Sequence, residues 1–210
     1  MMNTEKMIAS LLLQINAIKL SPATPFTWAS GWKSPIYCDN RKTLSFPLVR
    51  NTIRDEFVLR IRQDYPDVEL IAGVATGAIA HGVLVADAMG LPFVYVRSEA
   101  KGHGLGNQIE GSFTEGLKTV IIEDLISTGG SSLSAYRALC EAGLQVSGML
   151  AIFTYGFPVA AENFRNAGCR LDTLSNYESL LDLAMQTGDI AQGQEIMLKK
   201  WRQDPAGWQG

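Results

Sequence analysis

The chain has 210 residues, of which 47% are hydrophobic and 19% charged, enough apolar material for one substantial core. A net charge of -3 and a pI near 5.4 leave no basic surplus to neutralise phosphates along a polymer, which argues against broad nucleic-acid binding. Three scattered cysteines (Cys38, Cys140, Cys169) without a CxxC pair, and two histidines (His81, His103) without HxxxH spacing, offer no zinc cluster and suit a reducing, cytoplasmic setting.

In chain order, residues 4–18 carry apolar side chains at helical spacing. Glu5 in the would-be basic region, and Gln14 and Asn16 in the apolar run, fit an amphipathic helix and not a signal peptide. The stretch "FTWASGWKSPIYCDNR" (26–41) has aromatics, a Ser-Gly turn and a Ser-Pro break, so it reads as a short hairpin or strand pair. Residues 47–63 resume a helical pattern. From residue 68 strands and helices alternate. Strands are expected over 68–75, 92–99, 119–124, 145–156 and 170–177, and helices over 77–90, 131–143 and 158–168. The apolar run 70–96 is broken by His81, Asp87, glycines and Pro92, which marks a buried strand–helix–strand unit and not a membrane span. A polar, glycine-rich segment covers 100–118, and a polar helical tail ends the chain. The tail from Asp182 carries no interpretable motif. Its two tryptophans, Trp201 and Trp208, would pack on the body or on a partner.

Strand–helix alternation predicts an α/β fold with a mostly parallel sheet flanked by helices, in one domain over 1–210. In such sheets ligands bind beyond the carboxyl ends of the strands. Three strand ends are unusual, at residues 73–77, 97–106 and 123–132, and should lie side by side.

The third is the most informative. In "TVIIEDLISTGGSS" an apolar strand ends in Glu123 and Asp124, and Ser127, Thr128, Gly129, Gly130, Ser131 and Ser132 lead into a helix. Glycine lets backbone N–H groups approach an anion, and a helix N-terminus adds favourable partial charge. No GK[ST] follows, so this is not a Walker A loop, and GxGxxG is absent. A capped helix, with Ser131 or Ser132 as N-cap, would explain the serines but not the adjacent acids. Carboxylates accept hydrogen bonds from sugar hydroxyls and help hold hydrated Mg²⁺, while the loop suits a terminal phosphate. A ribose 5-phosphate satisfies both ends.

Here the stretch resembles the phosphoribosyl-pyrophosphate motif of the phosphoribosyltransferases. Two further segments resemble the orotate phosphoribosyltransferases. "YVRSEAKGHGLGNQIEG" (95–111) is similar to their mobile catalytic loop, with Arg97, Lys101 and His103 at the basic positions. On composition alone it reads equally as a solvated loop. Residues 26–41 are similar to the N-terminal hood over the orotate ring, with Ser30, Gly31, Lys33, Ser34 and Pro35 forming its core and Tyr37 and Cys38 over the ring. In isolation that segment reads as an edge hairpin. Ala29 and Ser98 stand where many members carry a basic residue, and residues 73–82 lack a lysine found in some members.

The resemblance covers residues 26–157 and implies the phosphoribosyltransferase fold, with residues 1–45 forming an N-terminal helix and hood. It implies transfer of ribosyl 5-phosphate from phosphoribosyl pyrophosphate to orotate. Lys101, His103 and Asp124 would be catalytic. Arg97, Glu123, Leu125, Ile126, Ser127, Thr128, Gly129, Gly130, Ser131, Lys33 and Tyr37 would bind substrate. The resemblance also implies Mg²⁺ carried mainly by the substrate, with Asp124 its candidate protein ligand. It further implies a homodimer whose active sites are shared, with no nucleic-acid or membrane partner. His81 reads as structural. A purine-base phosphoribosyltransferase would share the acid–glycine loop but lack the hood. A non-catalytic regulator of the same fold is the rival from another class; the missing cations mildly favour it, while the retained Lys101–His103 loop and the lack of a basic nucleic-acid patch oppose it.

Overall fold

The computed structural model describes residues 3–28, 30–97, 108–191 and 193–208. The first helix, α1 (Thr4–Gln14), starts where the Asn3 side chain accepts a hydrogen bond from the Lys6 N–H at 3.0 Å. It stops earlier than its apolar spacing suggests. Asn16 adopts a left-handed φ of 54°, a conformation that asparagine tolerates better than most residues. The chain then turns into β1 (Ile18–Leu20), a strand not expected from the sequence, whose first residue falls within the expected helix 4–18. Ile15 and Ile18 satisfy a helical repeat, but Ile18 is buried from a strand.

The hairpin expected within 26–41 is present. β2 (Phe26–Thr27) pairs antiparallel with β3 (Lys33–Ser34). β4 (Ile36–Cys38) leaves that pair and joins β1 instead, with Ile18 opposite Cys38. A 3-10 helix (Asn40–Ser45) connects this hood to α2 (Pro47–Asp64), where Pro47 occupies the first turn that needs no N–H donor.

The six-stranded sheet then builds in order β10–β9–β8–β5–β6–β7. Its strands are β5 (Leu70–Val74), β6 (Phe93–Val96), β7 (Ile109–Glu110), β8 (Lys118–Ile126), β9 (Gln145–Thr154) and β10 (Leu171–Asn176). All neighbours are parallel except β7, which runs antiparallel to β6. The sequence reading had no strand at β7, because two residues carry no periodicity.

The sheet is covered on both faces. Against one face pack α1, α2, α3 (Ile79–Met89), α6 (Tyr177–Thr187) and α7 (Gln194–Gln203), on Ile71, Val120, Ile122, Leu150 and Leu174. Against the other lie α4 (Gly130–Glu141) and α5 (Pro158–Ala167), on Ala72, Val94, Ile121, Met149 and Ala151. Residues 120–122 thus alternate between the faces, as a pleated strand requires. The adjacency of β6, β5 and β8 brings their carboxyl ends together, as expected.

Candidate active site

The pleat that separates Val120 and Ile122 from Ile121 also separates the two acids, and it explains their different surroundings. β8 runs two residues beyond the expected end, so Glu123 and Asp124 both lie within it. Glu123 takes the side of Ile121 and is only 3% exposed. One of its carboxyl oxygens accepts from the Ser132 hydroxyl at 2.7 Å and the other from the Asp124 N–H at 2.8 Å. Burial, and then the neighbouring Asp124, push its pKa well above the usual carboxylate range.

Asp124 takes the opposite side and is half-buried. It lies against the turn after β5, where a Cβ on Gly77 would overlap its carboxylate. Only glycine leaves that space. The Asp124 carbonyl accepts from Asn40 Nδ2 at 2.5 Å, so the 3-10 helix below the hood holds the backbone of the acid. Asn40 is held in turn. Thr43 Oγ1 lies 2.6 Å from the Asn40 carbonyl and 2.9 Å from His81 Nε2 on α3. His81 is buried, and burial followed by Arg50 lowers its pKa to about 4. It works as a neutral strut.

Beyond Ile126 the loop enters α4. The N-cap is Gly129, with φ 83°, and no side chain caps the helix. Ser131 and Ser132 are therefore not the cap: Ser131 is exposed in the first turn, and Ser132 is committed to Glu123. A Cβ on Gly129 would meet Phe164 at 2.7 Å, so the loop lies flat on α5. Asn163 Nδ2 donates to the Thr128 carbonyl at 3.1 Å and fixes the loop from the same helix. Gly130 and Ser131 remain open at the helix N-terminus, an arrangement that suits a phosphate.

Between this loop and the hood is a cavity of about 400 Å³. Leu125 and Ser127 line it from the end of β8, and Tyr155 from the end of β9. Thr27, Trp28, Tyr37 and Cys38 line it from the hood. The Tyr37 ring tilts against Phe26 at 5.7 Å and is 39% exposed. Lys33 does not line this cavity, and its Nζ donates to Thr27 Oγ1 at 2.9 Å across the hairpin. Arg97 follows the last residue of β6 and pairs with Glu110 of β7 at 3.5 Å. Lys101 and His103 lie outside the described residues. A larger cleft, about 580 Å³, lies between α1, β1 and α6, but its charged lining is only Lys19 and Asp189.

No family model matches the chain. It is 58% identical to an orotate phosphoribosyltransferase of Bacteroides thetaiotaomicron over 208 residues, 99% of this chain and 98% of that protein. It is 53% identical to an orotate phosphoribosyltransferase of Streptococcus pyogenes over 208 residues, 99% of this chain and all of that protein.

The chain belongs to the orotate phosphoribosyltransferase family.

Its fold agrees. The crystal structure of the orotate phosphoribosyltransferase from Aeropyrum pernix superposes with a TM-score of 0.75 at 27% identity, covering 88% of this chain and 99% of that one. The α/β phosphoribosyltransferase fold with its hood is therefore as the motifs indicated. Trp201 is fully buried on the body, one of the two placements expected for it. Sequence reasoning gave no site role to four residues that shape the site of this family member: Asn40, Ser132, Tyr155 and Asn163. Alternation along β8 would have shown that Glu123 turns inward and needs a donor. The others touch the site from distant parts of the chain, and nothing in their local sequence marks them.

Proposed function

We propose that this orotate phosphoribosyltransferase family member transfers ribosyl 5-phosphate from phosphoribosyl pyrophosphate to N1 of orotate, a step of de novo pyrimidine synthesis. The bond from ribose C1 to pyrophosphate breaks as the bond from C1 to N1 forms, and the N1 proton leaves to pyrophosphate or water, giving orotidine 5′-monophosphate and pyrophosphate. The observation that carries this reading is the cavity between an aromatic hood and an acid–glycine loop. A flat base fits between Tyr37 and the strand ends, within reach of Ser127, while its partner's phosphate sits at the start of α4.

Breaking the C1–oxygen bond builds positive charge on the ribose ring and negative charge on the leaving group. No covalent enzyme intermediate is needed, so positioning and fixed charges do the work. Asp124 holds the ribose hydroxyls from its half-buried position. Glu123 reaches a hydroxyl only by giving up Ser132 or the Asp124 N–H. Thr128, Gly129, Gly130 and Ser131 bind the 5-phosphate, and Leu125 lines the pocket beside them, while Ile126, expected at the substrate, has its side chain buried in the core. Lys101 and His103 stabilise departing pyrophosphate, with Arg97 assisting and Lys33 at the hood.

The donor set fits a magnesium ion carried mainly by substrate. Among the described residues no three His, Cys, Asp or Glu side chains gather into a protein cage. Asp124 alone suits an ion that keeps most of its waters and takes one or two carboxylates plus substrate oxygens. When bound, the ion would neutralise pyrophosphate charge.

The working molecule in this reading is a cytoplasmic homodimer with shared active sites, each chain folding as one domain over 1–210. Phe46 and Leu48 at the start of α2, and Val83 on the adjoining α3, present exposed apolar surface that suits such an interface. No helix among the described residues is long and apolar enough to cross a membrane.

The test mixes the protein with phosphoribosyl pyrophosphate, Mg²⁺ and orotate and follows orotate absorbance, with adenine and hypoxanthine in parallel. Magnesium-dependent loss of orotate alone is expected. Tight donor binding without turnover of any base would favour a regulator. Lys101→Ala should lower kcat about a hundredfold or more, as for removal of one charge-stabilising donor. Turnover near that of the parent would remove Lys101 from this role.

A further inference from the structure

We infer that Trp201, on the C-terminal helix, is a positioning residue for the base pocket, holding the hood against the sheet from behind. The inference rests on reading the cavity under the hood as the orotate site.

The hood cannot hold itself. β2 and β3 have two residues each and share one short antiparallel pairing, far less than an isolated hairpin needs in water. β4 is anchored on β1, but the β2–β3 hairpin draws its support from the far end of the chain. Trp201 is fully buried, and its Nε1–H donates to the Lys33 carbonyl at 3.2 Å, across 168 positions. Lys33 pairs with Thr27, which lines the cavity. The Trp201 ring also meets two cavity walls edge-on. Its centroid lies 5.7 Å from that of Trp28, with planes at 88°, and 5.8 Å from that of Tyr155, with planes at 87°. Trp28 and Tyr155 lie 5.0 Å apart, and Trp28 Nε1 donates to the Ile36 carbonyl. One side chain therefore ties the hairpin to the end of β9, and both wall rings rest on it.

Any buried tryptophan touches several neighbours. Trp201 differs in where its contacts end. Its one hydrogen bond lands on the hood, and two of its ring partners form the pocket wall. Aromatic edge-to-face geometry is directional, so displacing Trp201 moves Trp28 and Tyr155 without touching the acid–glycine loop. α7 is itself pinned, because the Tyr177 hydroxyl donates to the Leu198 carbonyl at 3.2 Å.

Orotate and donor should therefore respond differently. In Trp201→Phe an aromatic ring remains, smaller than the indole, and the N–H is lost. The KM for orotate should rise about fivefold, the factor to which roughly 1 kcal/mol converts, while the KM for phosphoribosyl pyrophosphate and kcat stay within about twofold. Tyr177→Phe, which loosens α7 from outside the pocket, should shift the same ratio in the same direction by less. Trp208→Phe, in the same tail, should leave both KM values unchanged. If Trp201→Phe does not yield folded protein, Tyr177→Phe decides. The inference is overturned if these variants lower Tm while the ratio of the two KM values stays at that of the parent, the mark of a purely structural core residue. A parent protein that does not turn over orotate would overturn the functional reading instead.

Discussion

At the scale of single residues, Gly77 and His81 each act through another group. A methyl at position 77 overlaps the Asp124 carboxylate, which is the mobile end of a side chain and can move aside. Gly77→Ala should therefore cost little stability but misplace the acid. We expect kcat/KM for phosphoribosyl pyrophosphate to fall by as much as about a hundredfold, the penalty for a shift near 1 Å, with Tm almost unchanged. Parallel kinetics and thermal melts check both halves. His81 shows itself through pH. Its pKa falls from 6.5 to about 4 on folding, first through burial and then through Arg50. Between those values the unfolded chain binds a proton that the folded chain refuses. Stability contributed by the neutral ring is thus complete above pH 6.5 and declines as pH falls toward 4, by up to about 3 kcal/mol. Glu123 acts in the opposite sense: its raised pKa favours the folded state at low pH and loses that contribution as pH rises. Comparing His81→Gln with the parent cancels the Glu123 effect. The variant should be less stable at pH 7.5, and the gap should close toward pH 4.5 in urea titrations.

At the scale of elements, the 3-10 helix Asn40–Ser45 joins the hood to β8. Asn40 is 1% exposed and carries the hydrogen bond to the Asp124 carbonyl. Asn40→Ala leaves that carbonyl without its donor, which costs about 1–3 kcal/mol of stability for a buried group. A drop in Tm with a raised KM for the donor is expected, and an unchanged KM would uncouple this element from the site. This link also shows what the sequence could reveal. The acids and glycines were legible because chemistry and spacing sit in one continuous stretch, "EDLISTGGSS". The parallel sheet and the neighbouring strand ends followed from alternating elements, whereas the order of the strands did not. β1 was not legible, because three residues cannot distinguish a strand from the end of α1, and the turn depends on one left-handed asparagine. Asn40 and Trp201 were hidden for a different reason. Their partners lie 84 and 168 positions away, and no local pattern records such a contact.

At the scale of the whole molecule, the proposed shared-site dimer makes a quantitative demand. Suppose that each site takes Asp124 from one chain and Lys101 from the other. Lys101→Ala and Asp124→Asn homodimers are then both inactive, for different reasons. A heterodimer of the two variants assembles one site with both defects and one with neither. Random exchange gives heterodimers as half of the population, each with one working site of two, so the mixture should recover about a quarter of parental activity. Titrating one inactive variant into the other, after time for subunits to exchange, should give a maximum near equal amounts. If Lys101 serves the site of its own chain, every heterodimer carries two broken sites and the mixture stays at the average of its parents. Leu48→Asp sharpens the comparison, because a charge on the exposed apolar surface of α2 should weaken association if that surface forms the interface. Recovery should then disappear with the dimer, as read by sedimentation velocity, while each chain keeps its melting behaviour.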